Sequence, residues 1–212
     1  MEAGWNYFFK EEKWFTKGLA HYSHYPDFYY GIGSNTPDSN KALFTANRVV
    51  LDIYALKKIQ KNLFSGLNMK YTAYSAVKPG NNTIIYPELT GSSTFGIGYS
   101  LVYDSRNNIL TPASGYYLNF NTSYNLSKTN YLKTTVDLRY YKTWKEKLTL
   151  SARFINELNT GAPPFYDYAF LGGDKFVRGY YLGRYRDKNL SSLQSEIRFP
   201  VVWRFGLAAF GG

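Results

Sequence analysis

The 212-residue chain contains no cysteine, which excludes disulfides and thiolate-ligated metal centres. It also lacks any long hydrophobic run. Its best apolar stretch, residues 49–56, is interrupted by Asp52 and falls far short of the ~20 residues a membrane helix needs. A mean hydropathy of −0.38 still leaves the bilayer open, because a barrel strand crosses with ~10 alternating residues and scores poorly in any sliding window. Histidine is scarce. His21 and His24 stand three apart on a predicted strand, face opposite sides and cannot chelate one metal. Met1 is followed by Glu-Ala-Gly-Trp, without the basic and apolar regions of a signal peptide. There is no G-x-S-x-G, no His/Asp pairing and no phosphate loop, so neither an enzyme nor a cofactor is expected.

Acidic residues are the minority charge, 15 against 25 Lys and Arg, for a net charge of +10. The basic residues carry no RNA-binding signature and no helical clustering, so a nucleic-acid partner is not expected. They gather at predicted turns (Lys57, Lys58 and Lys61; Lys142, Lys145 and Lys147) and stand singly on inward strand faces (Arg139, Arg153 and Arg198). What the chain has in abundance is aromatic rings: 22 Tyr and 15 Phe, with aromatics at 19%. A membrane barrel uses such rings at both lipid–water boundaries. Composition alone leaves a Tyr-rich soluble sandwich or lectin-like domain equally open.

Periodicity is more selective. Tyr116, Leu118, Phe120, Thr122, Tyr124 and Leu126 alternate with Tyr117, Asn119, Asn121, Ser123 and Asn125. At period 2 this gives one face apolar along its length and a wet reverse. The same alternation sets Leu67, Met69, Tyr71 and Ala73 against Asn68, Lys70, Thr72 and Tyr74, and Leu132, Val136 and Leu138 against Lys133, Asp137 and Arg139. The reading is all-β, about ten strands in an up-and-down meander. Residues 3–10 and 13–25 open it as a hairpin, and Pro26 is expected to end the second strand. Short charged turns (10–13, 58–62, 145–147, 200–204) alternate with long connections (27–43, 78–92, 161–189). One short end and one long end is the habit of outer-membrane barrels, and strands of ~11–14 residues are long for a soluble sandwich. With an outer-membrane destination and no signal peptide, the chain is expected to be a fragment.

The connection 161–189 stands apart. It carries Phe165, Tyr166, Tyr168, Phe170, Phe176, Tyr180, Tyr181 and Tyr185, which a solvated linker does not need, and long loops of this kind are usually functional. Among the rings sit Gly172, Gly173 and Gly179, with Arg178 between Val177 and Gly179. It is expected to be an ordered loop enclosed by the strands.

Three stretches resemble the bacterial surface-antigen family of outer-membrane barrels, which includes BamA/TamA-like assembly and translocation factors. Leu171-Gly172-Gly173 followed by Val177-Arg178-Gly179-Tyr180 resembles the family's hallmark loop, ending in VRG plus an aromatic. Asp104-Ser105-Arg106-Asn107-Asn108, with Pro112 and Gly115 after it, resembles its D-x-R-(D/N)-N…P…G turn. Glu196-Ile197-Arg198-Phe199-Pro200 and Arg204-Phe205-Gly206-Leu207 resemble the two strands after the loop. Tyr30-Gly31-Ile32-Gly33 and residues 185–190 are similar to a Bacteroidetes-type variant.

The resemblance covers nearly the whole chain. It implies a transmembrane antiparallel barrel of sixteen strands, of which residues 1–212 hold about ten, with the periplasmic POTRA region and terminal strands absent and residues 161–189 folded into the lumen. It implies that Arg178 meets Glu196 on the barrel wall; the family's second acidic partner falls where this chain has Gly212. The implied function is insertion or translocation of proteins at the outer membrane of a Gram-negative bacterium. The implied partners are membrane lipid, unfolded outer-membrane or secreted clients, and accessory lipoproteins. A barrel anchor for another domain, as in patatin-like phospholipases, and a plugged diffusion pore are the other readings.

Overall fold

A computed structural model of the chain describes residues 1–80, 84–145, 147–173, 177 and 179–212. The period-2 segments form one antiparallel sheet. Its strands are β1 (Glu2–Phe9), β2 (Trp14–Tyr29), β3 (Ala42–Gln60), β4 (Leu63–Pro79), β5 (Ser92–Asp104), β6 (Gly115–Leu126), β7 (Tyr131–Trp144) and β8 (Leu148–Gly161). Two short strands, β9 (Ala169–Leu171) and β10 (Tyr185–Asp187), form a separate ribbon, and β11 (Asn189–Val202) and β12 (Phe205–Gly211) complete the sheet. The sheet order is β1-β2-β3-β4-β5-β6-β7-β8-β11-β12, a ten-stranded meander. The sheet does not close on itself among the described residues: β1 and β12 are its edges. No described helix is long and apolar enough to cross a membrane.

Burial is inside out for a water-soluble domain. Leu67 is 59% exposed, Ile97 48% and Leu193 66%, whereas on the other face Asn68 is 6% exposed, Thr72 5% and Ser100 0%. Polar atoms on that second face satisfy one another across strands. Asn68 Nδ2 donates to Ser100 Oγ at 2.6 Å, and Ser100 Oγ donates to Asn121 Oδ1 at 2.6 Å. Such pairing offsets the desolvation a buried amide otherwise suffers. The opposite face has apolar side chains with nothing to pack against, and hydrocarbon is the solvent that suits it.

Two expectations need correction. Pro26 does not end β2, which continues to Tyr29 with Pro26 opposite Thr45. Among the described residues β1 pairs with β2 only as far as Glu2 opposite His21, so the described neighbour of Pro26 is β3, and proline is tolerated in a strand where no ladder bond needs its N–H. The connection after β2 is correspondingly shorter, residues 30–41. Pro200 likewise lies inside β11, at a register shift between Pro200 and Val202, and the turn itself falls on Trp203 and Arg204. Within the connection 161–189, Tyr185, Arg186 and Asp187 pair with Leu171, Phe170 and Ala169.

Candidate functional site

The site is assembled on the polar face of the sheet, where period 2 aims Lys70 of β4 and Lys133 of β7 to the same side. Lys133, with a side chain 16% exposed, and the part-exposed Lys70 gain a counter-charge from the loop between β8 and β11. Asp167, 5% exposed, accepts from Lys70 Nζ at 3.1 Å and Lys133 Nζ at 3.3 Å, and from the Tyr131 hydroxyl. Lys133 Nζ also donates to the Asp167 carbonyl at 2.9 Å and lies 3.6 Å from Glu157 Oε2. Burial by itself raises a carboxyl; here the charges of Lys133 and Lys70 and the Tyr131 hydroxyl overcome it and hold Asp167 well below the usual carboxylate range.

Rings flank this clasp. Phe165 stands edge-on to Tyr74, Phe44 and Tyr29 at centroid distances of 5.3, 5.7 and 6.0 Å. Tyr166 stacks on Tyr74 at 4.5 Å and hydrogen-bonds Thr94 Oγ1 at 3.1 Å and Ser92 Oγ at 3.2 Å. Pairs of this geometry are each worth about 0.5–1.5 kcal/mol beyond the area they bury. The loop therefore leaves β8, crosses the polar face, and packs against β2, β3 and β4.

Its far half is fixed to the connection between β2 and β3. Arg186, 7% exposed, donates to the Phe165 carbonyl at 3.1 Å, lies 5.4 Å from the Tyr29 ring, and through its own carbonyl accepts from Gly33 N at 2.7 Å. Arg184 donates to the Thr36 carbonyl at 2.6 Å and pairs with Asp38 at 3.0 Å. Tyr181 donates to Asp27 Oδ1 at 2.6 Å; burial and that carboxylate both push its hydroxyl pKa up. The ribbon's turn requires glycine: Gly172 has φ +116°, and a Cβ there meets the Tyr181 carbonyl oxygen at 2.1 Å. Gly173 N closes the turn on the Tyr180 carbonyl at 2.9 Å.

Of the loop motif, Gly172, Gly173, Val177, Gly179 and Tyr180 are described, and Arg178 lies outside the described residues. Val177 and Tyr180 line a cavity of about 570 Å³ that is also lined by Glu196, Arg139, Arg153 and Arg198. Within it, Arg198 Nε lies 3.4 Å from Glu196 Oε1, and Arg139 and Arg153 share Asp137 at 2.6 and 2.8 Å. Opposite Glu196 on β12 stands Phe210, and Gly212 lies against Gln194.

The turn motif forms its own unit at the other end of this cavity. Asp104 takes a forked pair from Arg106, Nη2 to Oδ2 at 2.6 Å and Nε to Oδ1 at 2.8 Å, and also accepts the Arg106 backbone N–H. Gly115 has φ +110°, with a Cβ there 2.4 Å from the Ser105 carbonyl oxygen. Pro112 offers its carbonyl to Arg198 Nη2 at 2.9 Å, tying the turn to β11. The structure thus brings Pro112, Arg198 and Glu196 together around one cavity and sets Asp167 at a separate anchor. His21 contacts Glu2 at 3.0 Å and His24 contacts Asn47 at 2.6 Å. No group of three metal-ligating side chains occurs among the described residues.

Sequence reasoning missed Asp167, Lys70, Lys133, Arg184 and Arg186 as site residues. A signal existed for the first three. Asp167 is the only acid in residues 161–173, and Lys70 and Lys133 sit mid-strand on a face expected to be enclosed.

Comparison with known proteins follows the geometry. A family model described as the Omp85 superfamily domain matches residues 3–211. Among solved structures, the chain is similar to BamA from Haemophilus ducreyi lacking POTRA domains 1–3, at 14% identity and a TM-score of 0.59. That match covers 96% of this chain and 45% of that one, so the chain spans less than half the length of the structure it resembles. At this identity the likeness is one of fold. No curated protein sequence matches the chain.

Proposed function

The chain belongs to the Omp85 superfamily of Gram-negative outer-membrane β-barrels, and we propose that it is the wall and plug of a machine that inserts or translocates other proteins at that membrane. The observation that carries this reading is the loop pinned across the polar face by Asp167, with Lys70 and Lys133 as its counter-charges. A wall whose wet face is crossed by a docked loop is poorly suited to free diffusion. It is suited to holding a rigid scaffold while a client strand pairs by backbone hydrogen bonds. No catalytic chemistry is required.

The nine strand pairings within the sheet are continuous, from Glu2 opposite His21 through Ser195 opposite Gly211. A client strand therefore enters beyond β1 or β12 rather than between strands already paired. The reading includes a second anchor, Arg178 meeting Glu196, supported by Val177 and Tyr180 lining the same cavity as Glu196. Its partners are outer-membrane lipid, unfolded outer-membrane or secreted proteins, and accessory lipoproteins.

The test uses the full-length protein reconstituted into vesicles, with an unfolded outer-membrane barrel as client and heat-modifiable migration as the folding readout. Faster client folding than in protein-free vesicles is expected. Equal rates in the two would overturn the proposal, and unchanged client folding by Arg178→Ala would remove the second anchor from it.

A further inference from the structure

Nine cations lie in or beside the short turns at one end of the wall. Lys10 and Lys13 flank the β1–β2 turn, and Lys57, Lys58 and Lys61 the β3–β4 turn. Lys142, Lys145 and Lys147 surround the β7–β8 turn, and Arg204 sits in the β11–β12 turn. In sequence these nine cations face three acids in the same turns, Glu11, Glu12 and Glu146, an excess of six out of the whole chain's +10. All nine except Lys58 are exposed. Among the described residues, Lys13 lies 3.2 Å from Glu11 and Lys58 3.9 Å from Glu12, and the other cations of these turns have no described carboxylate within 4 Å. In sequence the long-loop end has a smaller excess, two: Lys41, Lys78, Lys128, Lys175, Arg178, Arg184, Arg186 and Lys188 are set against Asp27, Asp38, Glu88, Asp167, Asp174 and Asp187.

Beside these cations, at the same end of the sheet, stand exposed or part-exposed aromatic side chains. Phe9 and Trp14 lie 6.3 Å apart with Lys57 Nζ 5.9 Å from the Trp14 ring. Tyr116 and Tyr140 lie 5.1 Å apart; Trp144 and Trp203 are exposed, and Arg204 lies 5.0 Å from the Trp203 ring. Amphipathic rings on a barrel mark the headgroup level. The layer that the lysines beyond them meet is therefore lipid phosphate.

We propose that this lysine-and-aromatic collar at the short-turn end is a binding surface for anionic phospholipid headgroups of the adjoining leaflet. An exposed Lys near an anionic bilayer contributes roughly 1 kcal/mol before screening, about fivefold in association, whereas a zwitterionic headgroup offers no net charge. The inference goes beyond the assembly reading and does not depend on it, because it uses the turns and not the loop.

The test is a lipid-selectivity measurement on the full-length protein in phosphatidylcholine bilayers doped with spin-labelled phosphatidylglycerol or spin-labelled phosphatidylcholine. At low salt the motionally restricted fraction is expected to favour phosphatidylglycerol about fivefold, falling toward parity as salt rises. The variant K57Q/K61Q/K142Q/K145Q/K147Q is expected to show near parity at low salt. The variant K41Q/K78Q/K128Q/K188Q, altered at the other end, is expected to keep the preference and serves as the check on folding. Parity in the unaltered protein, an undiminished preference in the five-lysine variant, or a loss confined to the long-loop variant would each overturn the proposal. So would finding that the collar holds an acidic protein while showing no lipid preference. Client folding in the preceding assay is scored separately, so each proposal fails on its own readout.

Discussion

Replacing Asp167 with Asn removes one charge while leaving a side chain that still accepts from Tyr131. Lys70 and Lys133 are then left facing each other's field on the enclosed polar side. Breaking a buried ion pair from one partner destabilises by about 3–5 kcal/mol, because the remaining charge has lost its compensation. Glu157, 3.6 Å from Lys133 Nζ, still compensates one lysine, which sets the expectation at the lower end, about 3 kcal/mol. That corresponds to roughly two orders of magnitude in the equilibrium between docked and released loop. The readout is cleavage by pepsin within residues 165–171 of the full-length protein in micelles. D167N is expected to be cut far faster than the parent. Acid adds a second signature. The docked state holds the Asp167 pKa below its unfolded value, so its stabilisation is fully present above about pH 4 and is lost as pH falls below that. Parental protection is therefore expected to weaken on acidification below about pH 4, while D167N responds little. Equal cleavage of parent and variant, with the same acid response, would refute the argument that this ion pair holds the loop.

Other consequences follow from the same geometry. Gly172→Ala forces a Cβ against the Tyr181 carbonyl at φ +116° and is expected to destabilise the β9–β10 ribbon by more than about 1 kcal/mol, read as faster hydrogen exchange at residues 169–187. Lys70→Met and Lys133→Met share the partner Asp167, so their effects on pepsin protection are expected to be non-additive by about 0.5–3 kcal/mol in a double-mutant cycle. On the lipid side, Leu138→Lys, at an exposed position in the middle of β7, is expected to cost about 2–4 kcal/mol in refolding titrations. Asn121→Lys, on the polar face, is expected to cost less than Leu138→Lys in the same titration.

The wall was legible because period 2 is a local property. Tyr116 to Leu126 reports both of its faces within twelve residues, and the structure places those faces as the alternation implies. The loop's clasp was not legible in the same way. Asp167 lies 97 residues from Lys70 and 34 from Lys133, and only the sheet order places those three side chains together. Its neighbours Phe165 and Tyr166 signalled an ordered loop without saying which wall they touch. Pro26 misled because a proline's effect depends on whether a ladder bond needs its N–H, which the local sequence does not announce; here it sits within the β2–β3 pairing opposite Thr45. The strands β9 and β10 were hidden for a different reason: each is three residues long, too short for an alternation to be read.

The most direct measurement is planar-bilayer conductance of the full-length protein beside a variant from which residues 163–184 have been deleted and replaced by a short Gly/Ser linker. If the loop closes the polar face, the intact protein is nearly silent and the deletion variant conducts stably. Equal, sustained conductance from both would contradict the claim that the Asp167-anchored loop is the plug of this barrel.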